Sequence, residues 1–323
     1  MSTISLSPIS FVPYLKPVIW GGDKICRYKG IEQPCPNIGE SWEISEVPGQ
    51  VSVVAEGEYE GLSLSELIEK FGEELLGSKV FEKYQGKFPL LIKFIDANEN
   101  LSVQVHPDDE LAKRKHNSLG KTEMWYIIHA EKNAKIYAGL SREMTEEDYL
   151  KKVSENTFAD TLAVHDSNPG DVFFLPAGRV HAIGAGNLLA EIQESSDITY
   201  RIYDYNRKDA KGHTRELHTD LAKDAIDFKV HENYKNPSIP PRKKDCEVVG
   251  CEHFCIRRLK IKGRKNLDLD FDSFSVLMCI EGESVLRNGN VLTNLSEGKT
   301  VLLPACINHT TILGDATILL VRS

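Results

Sequence analysis

The sequence predicts a mainly β fold: one β unit that appears twice, with short helical insertions. Three observations predict it. Short apolar runs bounded by turn residues recur through most of the 323 residues, as "FPLLIKFIDA", "EMWYIIHA", "AKIYAGL", "GDVFFLPAG", "LLAEIQES" and "ITYRIYDY". The stretch "PGDVFFLPAGRVHAIGAGNLLAEI" (169–192) returns as "EGKTVLLPACINHTTILGDATILL" (297–320), at a constant offset of 128 positions. Helix periodicity is confined to a few short segments.

Taken in order, the chain opens on "MSTISLSPISFVPYLKPVIW", which lacks a basic start followed by an apolar core, so no signal peptide is expected. "LSLSELIEKFGEELLG" (62–77) starts with a Ser-x-x-Glu capping pattern and spaces Leu64, Leu67, Ile68, Phe71 and Leu75 as one helix face. "LSVQVHPDDELA" follows two apolar runs. Gln104 and His106 lie two apart and so share one face of a strand that Pro107 ends, with Asp108 and Asp109 capping the helix-like "DDELAKRK". "MTEEDYLKKVSEN" (144–156) is a second helix, with Thr145 as its cap and acids in its first turn.

A second pairing, "WYIIHAEKNAKIYAG" (125–139) with "LMCIEGESVLRNG" (277–289), has an offset of 152. The 24-residue difference between the two offsets is where the first copy holds its 144–156 helix. Pro-rich "NPSIPPRKKD" (236–245) is the candidate boundary, giving residues 1–235 as an N-terminal segment plus catalytic barrel and 246–323 as the degenerate barrel.

A net charge of -9 argues against a nucleic-acid partner, and no run of 18 apolar residues suggests a membrane span. The cytoplasm is the expected compartment; the oligomeric state is not determined by the sequence. Of seven cysteines, Cys246, Cys251 and Cys255 cluster around His253. Their spacing does not match zinc-ribbon patterns, and "VVGCEHFCIRRLKI" reads as a strand, so reduced structural thiols are expected.

Four residues line up as one metal site. Gln104 and His106 share a strand face, Glu123 opens the first strand of the first copy, and His181 closes the Gly-Asp-x4-Pro-x4-His pattern. Two imidazoles, a carboxylate and an amide oxygen form a mixed set that zinc accepts. Each alone has a plainer reading: His106 as a satisfied structural histidine, Gln104 as a polar strand residue. The second copy puts Ser275 at the Glu123 position and has nothing like "VQVH", so His309, aligned with His181, reads as a remnant.

The repeated unit with its Gly-Asp-x4-Pro-x4-His form resembles a motif of the cupin barrels, which implies two antiparallel jelly-roll barrels, one catalytic and one degenerate. More specifically, "PVIWGG", "IGESWEIS", "LLIKFIDANENLSVQVHPDDELA", "GKTEMWYII" and "PAGRVHAIGAGNLLAEIQESSDITYRIYDYNR" resemble the type I phosphomannose isomerases in their short bacterial form. The resemblance implies one zinc ion per chain on Gln104, His106, Glu123 and His181. It places the family's active-site arginine on Arg201, a carboxylate on Glu191 and lysines on Lys93 and Lys121. It also implies a sugar-phosphate substrate and interconversion of mannose 6-phosphate and fructose 6-phosphate through an enediol(ate). Longer members continue the arginine segment as "RAGLTPK", where this chain has "RIYDYNRK".

Among the residues the resemblance picks out, Glu191 is the first choice for proton transfer, with Lys121 or a zinc-bound water as alternatives. Lys93 and Lys121 are candidates for phosphate contact. Trp20 and Trp42 are expected to wall the sugar site or to serve as core aromatics. The rival reading is a non-catalytic, or differently catalytic, metal-binding cupin that recognises a sugar phosphate.

Overall fold

A computed structural model describes residues 6–32, 36–208, 211–239, 243–270 and 272–323. Two antiparallel sheets build the first unit. One has six strands in the order Tyr14–Gly22, Ile38–Ile44, Leu90–Ala97, Asn187–Glu194, Glu123–Ala130, Val172–Leu175. The other has five, in the order Tyr200–Tyr203, Val103–Val105, His181–Ile183, Lys135–Leu140, Leu162–Asp166. The central strands of the first sheet, Leu90–Ala97 and Asn187–Glu194, are buried on both faces, so apolar residues occupy successive positions and the simple alternation of a half-buried strand is lost, with Lys93 and Glu191 buried among them.

The second unit is a single sheet dominated by three 14-residue strands, Cys255–Asp268, Ser275–Asn288 and His309–Arg322. Each of these long strands corresponds to two shorter ones in the first unit. Where His309–Arg322 runs unbroken, the first copy divides into His181–Ile183 and Asn187–Glu194. The helix Glu146–Ser154, capped by Thr145, and a short 3-10 turn, Phe158–Thr161, occupy the 24-residue insertion of the first copy.

The expected helix over 62–77 is two helices, Leu64–Phe71 and Glu73–Leu76. Gly72 separates them at φ +48°, a left-handed conformation that interrupts the helical ladder and that glycine reaches without steric cost. "VVGCEHFCIRRLKI" is likewise not one strand. Asp245–Gly250 and Cys255–Asp268 pair as a hairpin, and its turn carries His253 toward the first unit. Cys246, Cys251 and Cys255 are free thiols, and burial raises the last two above the ordinary thiol range.

Across the expected division into 1–235 and 246–323 the contacts are extensive; Pro240, Pro241 and Arg242 of the boundary segment lie outside the described residues. Ile9–Ser10 adds a strand to the second unit's sheet beside Thr300–Leu303. The backbone of Glu74–Leu76 bonds to Phe274, Ala305 and Cys306, and the Tyr28 hydroxyl donates to the Ile280 carbonyl at 2.8 Å. One apolar cluster runs from Leu64, Leu67 and Leu75 through Phe88 and Ile92 to Phe274, Val276 and Leu319. Among the described residues, no helix is long and apolar enough to cross a membrane.

Candidate active site

Register brings Gln104, His106 and His181 together. Val103–Val105 and His181–Ile183 are neighbouring strands in which His181 sits directly opposite Gln104. Glu123 arrives from the facing six-stranded sheet, so the four side chains meet between the two layers. His106, Glu123 and His181 are all buried, and their ligand-capable atoms lie within 4.8 Å of one another.

Both imidazoles are oriented by backbone carbonyls. His106 Nδ1 donates to Ile198 O at 2.8 Å and His181 Nδ1 to Arg179 O at 2.9 Å. Each ring therefore carries its proton on Nδ1 and turns the Nε2 lone pair inward. His181 Nε2 is 3.2 Å from Glu123 Oε1, His106 Nε2 is 3.5 Å from Oε2, and the Gln104 amide is 3.3 and 3.5 Å from the two rings. A tetrahedral ion with bonds of ~2.0–2.1 Å would set its ligands roughly 3.3–3.4 Å apart.

The donor set fits such an ion on a further count. Glu123 is fully buried; its Oε1 accepts no hydrogen bond among the described residues, which is costly unless a cation faces it, while Oε2 lies against the Lys121 ammonium. Burial pushes the Glu123 carboxyl up to about 7 even though Lys121 opposes the shift. Burial also pulls both histidines down, His181 to about 3, with the Lys121 ammonium acting in the same direction. The rings are thus neutral, as ligands must be. The Lys121 ammonium already sets a positive charge against the group, 2.9 Å from Glu123 Oε2 and 3.0 Å from His106 Nε2. The amide of Gln104 has its nitrogen toward the rings; rotated by half a turn it presents Oε1 instead, and the Ser102 hydroxyl at 3.4 Å serves either orientation.

A cavity of about 360 Å³ opens onto Gln104 and Lys121. Trp20, Trp42 and Trp125 line it together with Lys93, Glu191 and Arg201. A larger hollow of about 850 Å³ lies between the units along Tyr126, Arg258 and Glu281, and it contains none of the four candidate ligands.

Lys93 is fully engaged at the cavity wall. Its ammonium lies 3.0 Å from Glu191, 2.9 Å from Gln193 Oε1 and 3.6 Å from Glu40, with the Trp42 ring 5.2 Å away. Glu191 also accepts from Trp125 Nε1 at 3.0 Å. Burial alone would raise Glu191, but Lys93 and Lys121 outweigh it and hold the carboxyl at about 2. Arg201 is half-buried. Its Nη1 donates to the Glu216 carbonyl at 2.9 Å while its Nε is buried without a partner. Desolvation and the neighbouring Arg215 lower its pKa below the ordinary arginine value.

The sequence reading missed Glu40, Lys16 and Arg215, all of which line the cavity. Glu40 sits in "GESWE", where its pairing with buried Lys93 had no sequence signal. Arg215 is held by Asp204, 2.7 Å from Nε to Oδ2, and lies 14 residues past Arg201 in a segment without motif character. Asp108 caps its helix by accepting from Leu111 N at 2.8 Å.

His309 does not occupy the place of His181. His181 stands two residues before inward-facing Ile183, which pairs with Ile136; in the second unit Ile312 pairs with Leu286, and two residues before it is Thr310. The strand register thus follows an offset of 129, and His309 is turned outward, exposed and bonded to Asp268 at 2.8 Å.

Comparison with known proteins agrees with this geometry. Residues 10–122 match the family model of the phosphomannose isomerase type I catalytic domain, and residues 244–323 match that of the mannose-6-phosphate isomerase cupin domain. A mannose-6-phosphate isomerase of Bacillus subtilis is 36% identical over 93% of this chain and 94% of its own length. One of Streptococcus mutans is 33% identical over 93% of each. The crystal structure of the mannose 6-phosphate isomerase from Bacillus subtilis superposes with a TM-score of 0.89 at 34% identity, covering 98% of this chain and 99% of the other. A phosphomannose isomerase variant from Salmonella typhimurium, 16% identical, shares the fold with a TM-score of 0.81 over 98% of this chain and all of that one.

Proposed function

The chain belongs to the type I phosphomannose isomerase family, and from that premise we propose that it interconverts mannose 6-phosphate and fructose 6-phosphate with one zinc ion held at the cavity. The observation that carries the reading is the convergence of Gln104, His106, Glu123 and His181 at a cavity that also presents Arg201, Glu191 and Lys121. Gln104 enters the ligand set through Oε1. When bound, zinc supplies Lewis-acid stabilisation of the negative charge that develops on the sugar oxygens.

The reaction moves the C2 proton of the aldose to C1 and shifts a hydroxyl proton from O2 to O1, through an enediol(ate), with no net change in oxidation state. Glu191 and Glu40 are the carboxylates that open on the cavity, and we assign the carbon-bound proton to Glu191. Its pairing with Lys93 guarantees the ionised form but weakens it as a base, since proton transfer is most effective when the pKa lies near the working pH. Lys121 is the ammonium nearest the ligand group and supplies a proton donor toward the sugar oxygens. Arg201 presents an unpartnered buried N–H, a fixed donor for negative charge on the substrate.

Lys93 already has three partners, so we give it the task of holding Glu191 and Glu40 ionised, in place of the substrate contact expected from the sequence. Trp20, buried beside Ile95 and Trp125, contributes an apolar wall to the sugar site. A phosphorylated sugar is confined by its charge to the compartment that makes it, and the free thiols accord with the cytoplasm.

The test is turnover of mannose 6-phosphate by the purified chain, with bound metal measured by mass spectrometry. Arg201→Ala is expected to lower kcat/KM about 10²–10³-fold, the usual scale for losing one preorganised charge-stabilising donor, while zinc content stays unchanged. Stoichiometric iron without sugar-phosphate turnover would overturn the proposal, and unchanged turnover in Arg201→Ala would remove that residue from it.

A further inference from the structure

Outside the cavity, a second group of metal-ligating side chains lies where the two units meet. Asp109 comes from the first turn of the helix Asp109–His116, Glu194 from the end of the strand Asn187–Glu194, and His253 from the hairpin turn of the second unit. Their ligand-capable atoms all lie within 4.8 Å of one another.

Each carboxylate is oriented by a backbone N–H of one short segment. Asp109 Oδ1 accepts from Gly120 N and Glu194 Oε2 from Thr122 N, both at 2.7 Å. These contacts leave one oxygen of each carboxylate for another partner. The remaining Glu194 Oε1 is 3.1 Å from His253 Nδ1, yet it is buried and accepts no hydrogen bond; Glu194 as a residue is only 3% exposed. An orphaned carboxylate oxygen beside a second carboxylate and an imidazole calls for a positive charge. Without one, burial pushes Glu194 up to about 7, and the charge of Asp109 adds to the shift against the Thr122 N–H. Burial lowers the pKa of His253, and Lys83, whose ammonium is bonded to the Glu252 carbonyl at 2.8 Å, adds to that shift while Asp109 opposes it. Lys83 makes no ion pair with Glu194 or Asp109 among the described residues.

We propose that Asp109, Glu194 and His253 form a second divalent-cation site, distinct from the one at the cavity. Two carboxylate oxygens and one imidazole nitrogen make a mixed donor set suited to a borderline dication such as Zn²⁺, with water completing the shell on the side where Asp109 is exposed. The anchoring N–H groups are the outer contacts that hold metal ligands in place. Gly120–Thr122 contains Lys121 and leads directly into Glu123, so a cation here ties the segment bearing these two site residues to the second unit. The two sites share no ligand and no backbone anchor.

The test is a Zn²⁺ titration of the intact chain, with bound metal measured per chain after removal of excess and the thermal midpoint followed alongside. Two equivalents are expected in the native chain. His253→Ala, in an interdomain turn, is expected to bind one and to lose the rise in midpoint that accompanies the second equivalent. Glu194→Gln serves as a second variant with the same expected stoichiometry. His106→Ala should also bind one, and the double variant His106→Ala/His253→Ala none. One equivalent in the native chain, or two retained in His253→Ala, would overturn the second site. Two retained in His106→Ala would instead count against the cavity site, so the two readings fail separately.

Discussion

The two β units share an ancestry of pattern and differ in what fills them. Between its sheets the first unit buries Lys93, His106, Lys121, Glu123, His181, Glu191 and Gln193. In the corresponding space the second buries Leu259, Ile261, Leu277, Leu286, Leu303, Ile312 and Ile318. The first thus keeps charged groups in its interior, Lys93 against Glu191 and Lys121 against Glu123, while the second is a hydrophobic core. Broken strands accompany the polar interior and long unbroken ones the apolar interior. The difference teaches that one strand scaffold supports a reaction cavity only where its interior charges are mutually compensated; otherwise apolar burial is the stable filling.

The largest expected effect comes from breaking that compensation. Lys93→Met leaves Glu40 and Glu191 buried without their shared cation and is expected to cost about 3–5 kcal/mol of stability, measured by chemical denaturation at neutral pH. The pH dependence has a definite sign. In the native chain Glu191 sits at about 2, below its ordinary 4.5, so its contribution is present above about 4.5 and is lost as pH falls toward 2. In Lys93→Met burial acts without its main opponent, so acidification should recover stability relative to neutral pH. A loss below about 1 kcal/mol with an unaltered pH profile would show that the charge cluster is not what holds the first interior together.

The second unit should respond to volume instead. Leu286→Ala removes a fully buried side chain from the apolar filling and is expected to cost about 2–4 kcal/mol, with kcat/KM unchanged at temperatures where the chain is folded. A large fall in kcat/KM in folded protein would show that the second interior takes part in the chemistry of the first.

The smallest effect concerns His309, which the sequence repeat aligns with His181. His309→Ala should change stability by no more than about 0.5 kcal/mol and leave metal content unchanged, because the ring is exposed and paired only with exposed Asp268. Loss of bound metal in His309→Ala would contradict the outward register.

Much of this comparison was legible in the sequence, and the part that was not has identifiable reasons. The apolar runs predicted the strands of the first unit, since a strand buried on both faces carries apolar residues at successive as well as alternate positions. The capping residues marked the starts of the helices at Leu64 and Glu146, because Ser63 and Thr145 satisfy the first free N–H groups locally. The division of the 62–77 helix at Gly72 was missed because apolar spacing survives a local change of φ. The hairpin through Cys251–Phe254 was missed because neither glycine-rich nor proline-rich turn chemistry marks its tip.

Residue types, their spacing within a strand and the repeat were properties of the sequence by itself. They suffice to put Gln104 and His106 on one strand face and to single out Glu123 and His181, because alternation along a strand is local. Which faces point inward across the repeat, which cations meet which carboxylates, and that His253 reaches Glu194 were decided by the tertiary structure. The physical reason is that a one-residue shift in register reverses a side chain's direction, as it does for His309 and Thr310, and pairings such as Lys93 with Glu191 or Glu194 with His253 join segments that only packing brings together.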